Sequence, residues 1–166
     1  MSREASAVIV FAILALALAL MAFGWWRRRR RQADIGELAT VPAEVGEISY
    51  SEDLLYVATT RAGSPYDRIA VRGLGFRSRA VVSVAATGIV LDIASSASRF
   101  IPAADLDGVG RATWTIDRVV EKDGLVLLGW RLGDTALESY FRGDHPDRLV
   151  DAITPLVTPT SSKEAA

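Results

Sequence analysis

Residues 125–142 read LVLLGWRLGDTALESYFR, and this stretch decides the fold of the larger part of the chain. Apolar and polar residues alternate in both halves, which is the pattern of β-strands with one buried face. Gly133-Asp134 separates the halves and is typical of a tight turn, so the stretch predicts a β-hairpin. The side chains expected to face the core are Val126, Leu128, Trp130 and Leu132 in Leu125–Leu132, and Leu137, Ser139 and Phe141 in Thr135–Arg142. Those expected to point outward are Glu138, Tyr140 and Arg142.

Strand patterns also precede this hairpin. Five earlier segments are rich in β-branched or alternating apolar residues, and several end at Gly or Pro, as strands do. They are Leu54–Arg61, Arg79–Thr87, Ile89–Ile93, Arg99–Ile101 and Arg111–Asp117. No helical pattern separates them, so about seven short strands predict an antiparallel barrel or sandwich.

A helix is predicted after the last strand. Asp144 or His145 can cap it, and Pro146 suits the first helical position, where its missing N–H costs nothing. Pro155 predicts that the helix ends near Thr154. One face carries an apolar stripe formed by Leu149, Ile153 and Leu156. Residues 158–166, TPTSSKEAA, are expected to be disordered.

The N-terminal part is of a different kind. Residues 5–26 read ASAVIVFAILALALALMAFGWW and contain no charged side chain. As a helix they would extend about 33 Å, enough to cross a hydrocarbon core of about 30 Å. Trp25 and Trp26 stand where an aromatic belt meets lipid headgroups. Five basic residues follow, namely Arg27, Arg28, Arg29, Arg30 and Arg31. The pattern predicts a transmembrane helix.

The charges around this helix predict its orientation. A cleavable signal peptide carries its positive charge before a shorter apolar run, whereas here the charge follows a longer one. Because cytoplasmic flanks hold the excess of Lys and Arg, we expect the N-terminus outside and the rest of the chain in the cytoplasm, beside the cell membrane. The predicted organisation is an extracytoplasmic segment over 1–4, a transmembrane helix over 5–26, a basic stop and linker over 27–48, one compact domain over 49–157 and a tail over 158–166.

Charge and residue content exclude several classes of function. Residues 32–166 contain 13 basic and 19 acidic residues, so this part lacks the basic surface of a nucleic-acid-binding protein. The chain has no cysteine and one histidine, His145, which has no carboxylate pair beside it in a metal-ligand pattern. No serine occupies a Gly-flanked nucleophile elbow. We therefore predict no metal, no cofactor and no enzymatic activity.

Three segments resemble the PH-like domains of bacterial membrane proteins, and most closely the single-pass PH-like membrane proteins of actinobacteria. They are YVATTRAGSPYDRIAVRGLGFRSRA over 56–80, FIPAADL over 100–106 and GWRLGDTALESYFR over 129–142. The resemblance covers about 50–157 and includes the N-terminal anchor. It implies a bent, seven-stranded barrel with a helix plugging one open end, and a domain that binds lipid headgroups or protein partners.

A basic segment lies between the first two predicted strands. Residues 61–79 contain five arginines and one carboxylate, Asp67, a local charge of +4. Guanidinium groups bind phosphate in forked pairs. The candidate anion- or lipid-binding residues are Arg61, Arg68, Arg72, Arg77 and Arg79. The resemblance implies the same region, because this loop carries the basic residues of lipid-binding PH domains. The alternative is that these arginines are neutralised in surface ion pairs by Asp67, Asp92, Asp105 and Asp117.

Together these patterns predict a non-enzymatic binding and recruitment module at the cytoplasmic face of the membrane. Its partner is expected to be an anionic lipid headgroup, another phosphorylated ligand or a protein. Tethering raises the local concentration of the domain, so that a weak site suffices. The alternative hypothesis is an accessory subunit of a membrane transport or biosynthetic complex, in which the helix contacts other spans.

Overall fold

The computed structural model of the chain describes residues 3–31, 35–69, 73–94, 96–112 and 124–157. Two units are compact by themselves, one ending at residue 34 and the other beginning at residue 35. The first unit is α1, a helix over Arg3–Arg31. Within it, Val8–Arg27 is a run of 20 residues with a mean hydropathy of 2.7. The predicted apolar helix is therefore present, with the length and composition that crossing a membrane requires.

The second unit is built on one antiparallel sheet of nine strands. They are β1 (Ala39–Thr40), β2 (Ile48–Arg61), β3 (Ser64–Arg68), β4 (Ser78–Ala85), β5 (Gly88–Ile93), β6 (Arg99–Pro102), β7 (Leu106–Ala112), β8 (Leu125–Leu132) and β9 (Thr135–Arg142). Six of them overlap strands that the sequence predicts, namely β2, β4, β5, β6, β8 and β9, and β1 and β3 are short additional strands. The bounds of β8 and β9 are those predicted. The strand predicted over 111–117 lies mostly outside the described residues, and β7 ends at Ala112.

The order of the strands makes the sheet an open barrel. That order is β1-β6-β5-β4-β2-β9-β8-β7, with β3 added beside β2. Within the described part of the chain the end strands β1 and β7 do not pair with each other, so the predicted barrel is not closed. β2 holds the centre, because its 14 residues pair with β4 and β3 along one edge and with β9 along the other.

Burial confirms the core predicted from alternation and corrects one residue. Six of the seven side chains of the β8–β9 hairpin that were predicted to face the core are 2% exposed or less, namely Val126, Leu128, Trp130, Leu137, Ser139 and Phe141. The seventh, Leu132, is partly buried against the same core. Tyr140 was expected to point into solvent, yet it is 5% exposed. It packs with Val57, Ala58 and Leu125 in a second apolar cluster, separate from the main core. The outer face of this part of the sheet is thus partly apolar.

The domain begins earlier than the predicted boundary at residue 49. Ile35 and Leu38 are 1% and 3% exposed and belong to the main core. β1 follows them and pairs with β6, where Ala39 lies opposite Phe100. The segment predicted as a linker over 27–48 therefore contributes to the domain from residue 35 onward.

The final helix, α2 (Pro146–Ile153), ends where Pro155 predicts and passes into a 3₁₀ turn over Thr154–Leu156. Leu149 and Ile153 are fully buried, which confirms the predicted apolar stripe. The predicted tail over 158–166 lies outside the described residues.

The start of α2 is held by β2. The N–H of His145 donates to Oε1 of Glu52 at 2.9 Å, and the hydroxyl of Tyr50 donates to the other carboxylate oxygen at 3.0 Å. His145 occupies the cap position without a side-chain capping bond. The carboxylate of Glu52 thus accepts the hydrogen bond at the start of the helix, a role that the sequence analysis gave to Asp144 or His145. Its negative charge is favourable at a helix N-terminus.

Candidate functional site

Strand β2 sets the geometry of the basic segment over 61–79. β4 pairs with β2 from Ser78, which lies opposite Tyr56, and β3 pairs with the same edge up to Arg68, which lies opposite Thr60. The loop from β3 to β4 therefore starts and ends beside β2 residues four positions apart, about 13 Å at the rise of a β-strand. It spans the section of β2 that neither strand covers.

Both ends of this loop are anchored in the core. Ile69 and Leu74 are 0% and 1% exposed. The N–H of Ile69 donates to the carbonyl of Thr59 at 2.8 Å, and the hydroxyl of Tyr56 donates to the carbonyl of Leu74 at 3.0 Å. The side chains that follow Leu74 on the way to β4 include Phe76 and Arg77, and both are exposed. The loop thus presents these two residues from an anchored backbone.

Tyr56 belongs to a chain of buried hydrogen bonds that crosses the core. Nε1 of Trp130 donates to Oγ of Ser139 at 2.9 Å, and the hydroxyls of Ser139 and Thr59 are 2.7 Å apart. The Thr59 hydroxyl lies 2.8 Å from the phenol oxygen of Tyr56. All four side chains are 2% exposed or less. No sequence pattern predicts this chain, because its members come from three strands.

The donors at the two ends of this chain are known. The indole N–H of Trp130 can only donate, and it donates to Ser139. At the other end the hydroxyl of Tyr56 donates to Oγ1 of Thr59 and also lies within hydrogen-bond distance of the carbonyl of Leu74, so the phenol shares its one proton between two acceptors. Between these ends, either hydroxyl of the Thr59–Ser139 pair can donate. Burial raises the pKa of Tyr56 to about 12, against a lowering by Thr59 and Arg68. The phenol thus keeps the proton that holds the loop.

Arg61 and Arg68 interact with the domain through neighbouring strands. Arg61 lies on the core-facing side at the end of β2, opposite the buried Leu137. Its Nε is 3.3 Å from Oδ2 of Asp67, one of the ion pairs expected under the alternative interpretation. Arg68 is half-buried, and its Nη2 donates to the carbonyl of Val57 at 2.9 Å. It thereby satisfies a backbone acceptor on the section of β2 that β4 leaves uncovered.

Arg77 and Arg79 are both exposed. Arg79 is the second residue of β4, and Arg77 directly precedes that strand, so their backbones are about 7 Å apart. Arg79 lies opposite Leu55 of β2, and Arg142 of β9 lies opposite Leu55 on its other side. Residues directly opposite in a sheet share a face, so Arg79 and Arg142 flank Leu55 with backbones about 10 Å apart. We call Arg77, Arg79 and Arg142 the basic row.

Arg142 is a member of this row that sequence analysis misses. Alternation places its side chain outward, but nothing in the sequence identifies β9 as the neighbour of β2. Tyr140 precedes it on the same face and donates to Oε2 of Glu138 at 2.9 Å. Burial and this carboxylate raise the pKa of Tyr140 to about 12. Arg72, another predicted site residue, lies outside the described residues.

An acidic row borders the basic row on one side. Val81, two residues after Arg79, lies between Asp53 of β2 and Asp92 of β5, and both carboxylates are exposed. These carboxylates are therefore two positions along β4 from Arg79. Across the described ranges, no group of three His, Cys, Asp or Glu residues is placed to hold a metal ion.

The extent of the domain agrees with a family comparison. Residues 35–156, more than two thirds of the chain, match the family described as bacterial PH domain-like. The chain belongs to the bacterial PH-like family. The match starts at Ile35, where the main core starts, and ends at Leu156, where the turn after α2 ends. PH-like domains are generally non-catalytic binding modules, and many bind lipids or proteins. No curated protein matches this PH-like chain.

Proposed function

We propose that the chain is a single-pass membrane protein whose PH-like domain binds anionic, phosphate-bearing ligands at the cytoplasmic face of the cell membrane. The observation that carries the proposal is the exposed basic row on a domain that is otherwise acidic. The guanidinium fork suits phosphate, and three such groups within about 10 Å of a neighbour can engage one anionic surface together. The arginines that follow the apolar helix favour the cytoplasmic side for the domain.

The five predicted arginines have different parts in this proposal. Arg77 and Arg79 contact the anion directly, with Arg142 beside them. Arg61 and Arg68 hold the ends of the loop through Asp67 and the carbonyl of Val57. Arg72 is proposed as a further contact, since it belongs to the same basic segment. The proposed function also includes the recruitment of a partner to the membrane.

Vesicle capture tests the anion site. The full-length chain is held in nanodiscs of phosphatidylcholine and mixed with separate vesicles that contain phosphatidylserine. Since the disc accommodates the apolar helix, capture by the vesicles reports on the domain. We expect the double variant Arg77→Glu, Arg79→Glu to lower capture by about tenfold or more.

A matched variant controls for net charge. Arg131→Glu with Arg148→Glu makes the same change at exposed arginines of β8 and α2, outside the basic row. We expect this variant to be captured like the unchanged chain. Equal capture of all three proteins would contradict the anion site. Stoichiometric recovery of multi-span proteins in gentle detergent, with equal vesicle capture, would favour the accessory-subunit alternative instead.

Orientation is tested separately. Protease added to intact cells is expected to leave the PH-like domain uncut, and to cut it only after the membrane is opened. Degradation of the domain in intact cells would contradict the cytoplasmic orientation.

A further inference from the structure

Two aromatic side chains of the PH-like domain are exposed to an unusual degree. Phe76 is 84% exposed and Tyr66 is 73% exposed. The other large apolar side chain of the described domain with a comparable value is Ile48, at 52%. Both aromatic residues lie in the basic segment over 61–79, so the segment with the highest positive charge also carries the most exposed aromatic groups.

The exposure of Phe76 does not come from a loose backbone. Two residues earlier, Leu74 is buried and its carbonyl accepts the proton of Tyr56. Two residues later, Ser78 is already paired with β2 in register with Tyr56. Phe76 is therefore held away from the core between two anchored positions, and Arg77 follows it directly.

Tyr66 lies in β3, beside the end of β2. Arg68 is opposite Thr60 and Ser64 is opposite Arg61, so the register of β3 on β2 shifts between these two pairs, and Tyr66 lies within the shift. The aromatic groups are thus on the β3 side of the uncovered section of β2 and on its β4 side.

Inorganic phosphate or a free lipid headgroup has no apolar part to place on an exposed phenyl ring, whereas a bilayer interface has one. Aromatic side chains favour the headgroup boundary, where an apolar ring is removed from water and a phenol stays hydrated. Arginines beside them meet the phosphates of anionic lipid. The chain also contains a helix long and apolar enough to cross a membrane, which would keep a bilayer within reach of the domain.

We propose that Phe76 and Tyr66 insert into the headgroup boundary of an anionic bilayer, while the basic row contacts the lipid phosphates. The occupant of this face is the surface of the membrane that holds the chain's own apolar helix. The inference rests on the proposed function, since it requires a membrane-anchored domain and an anion-binding basic row. To the anion binding proposed above, it adds a hydrophobic contact with the bilayer, and it assigns the bound phosphate to a lipid headgroup.

Site-specific labelling tests the insertion, because the chain has no cysteine of its own. Phe76→Cys and Tyr66→Cys each receive an environment-sensitive NBD fluorophore. The control is Ala86→Cys, in the exposed β4–β5 turn beside the start of β2, about 25 Å along that strand from Tyr56. The full-length proteins are reconstituted in nanodiscs of phosphatidylcholine alone or with phosphatidylserine.

With phosphatidylserine present, we expect the labels at positions 76 and 66 to shift their emission to the blue and to lose quenching by iodide. Quenching by doxyl-labelled lipid should appear at the same positions, and the label at position 86 should show none of these changes. In vesicle capture, Phe76→Ser should weaken association by about tenfold, and Phe76→Trp should restore it.

Two outcomes overturn the insertion. One is a label at position 76 that stays as open to iodide as the label at position 86 in both lipid mixtures. The other is a blue shift on adding soluble glycerophosphoserine to chains in phosphatidylcholine discs, which would assign the site to a soluble headgroup. If the label stays in water while the Arg77→Glu, Arg79→Glu variant still loses capture, the proposed function stands and the insertion alone fails. If that variant is captured like the unchanged chain, the anion site fails, and the insertion, which requires the basic row, fails with it.

Discussion

The two faces of β2 differ in how polar groups are placed on them. On the inner face, the Thr59 hydroxyl is bonded on both sides, to Ser139 and to Tyr56, and is fully buried. On the outer face, Leu55 lies between Arg79 and Arg142, whose side chains are exposed. A buried polar group must be paired because its desolvation is costly, whereas an exposed charge remains available to a ligand. One strand therefore has a fully paired polar group on one side and exposed charges on the other.

The contrast is also visible between two hydroxyl pairs. Thr59 and Ser139 are 2.7 Å apart in the core, and Ser51 and Ser83 are 2.9 Å apart on the exposed face. The geometry is nearly the same and the surroundings differ. Energetic consequences should therefore follow burial and not distance.

The largest effect is expected for Trp130→Ala. The substitution leaves a cavity in the core and removes the first donor of the hydrogen-bond chain, so we expect a loss of about 3–5 kcal/mol in the free energy of unfolding. The measurement is urea unfolding of the full-length chain in detergent, followed by circular dichroism of the sheet. Arg131→Ala, at the exposed neighbour on the same strand, should change the value by less than about 0.5 kcal/mol. Similar losses for both variants would contradict the assignment of the two faces.

Alkaline pH should weaken the domain through its buried phenols. The pKa values of Tyr56 and Tyr140 are raised to about 12, above the value of 10.0 for an unperturbed tyrosine. Because the folded state holds these protons more tightly, the contribution to stability is complete below pH 10 and is lost as the pH rises toward 12. Each phenol should lower the free energy of unfolding by about 1.4 kcal/mol per pH unit in this interval. The free energy of unfolding should fall less steeply with pH in this interval for Tyr56→Phe and for Tyr140→Phe than for the unchanged chain. An unchanged slope would contradict the burial of that phenol.

A smaller effect is expected for Ser139→Ala at neutral pH. It leaves the indole N–H of Trp130 and the hydroxyl of Thr59 without their shared partner in the core, a cost of about 1–3 kcal/mol. Ser51→Ala removes the exposed hydroxyl pair and should cost less than about 0.5 kcal/mol. Comparing the urea midpoints of the two variants checks this difference. A Ser51→Ala loss as large as that of Ser139→Ala would show that burial does not decide the energetics.

The smallest effect is expected for Asp67→Asn. The ion pair with Arg61 is partly exposed, at 30% and 50% for the two side chains, so its removal should cost less than about 1 kcal/mol. Thermal unfolding in low and high salt measures it, and the small difference should vanish in high salt. A loss that persists in high salt would indicate that the pair holds the loop more strongly than its exposure implies.

Much of the fold follows from alternation in the sequence. The bounds of β8 and β9, the core-facing side chains from Val126 to Phe141 other than Tyr140, and the end of α2 before Pro155 are predicted, because each depends on residues close together in the chain. β3 is not predicted, since Ser64-Pro65 reads as a terminator. In the structure, Pro65 occupies the second position of β3, a short strand that pairs with the end of β2.

What the sequence could not reveal depends on distant pairing. Ile35 and Leu38 are isolated apolar residues in a segment without periodicity, and only the assembled core shows their burial. Tyr140 alternates outward, yet it is covered by the second apolar cluster. The sequence predicts the arginines of the segment over 61–79 as candidates, but which of them are half-buried and which are exposed depends on the register of β3 and β4 on β2. Arg142 becomes a candidate only through the pairing of β9 with β2.

That pairing also has a consequence for biosynthesis. Thr59 and Ser139 are 80 residues apart in the chain and are joined in the finished core. While the ribosome extends the polypeptide from β2 toward β9, one edge of β2 has no partner, and its backbone groups are open to wrong associations. The native assembly can close only after Arg142 has left the exit tunnel, so nascent chains that stop earlier should depend on chaperones for their solubility.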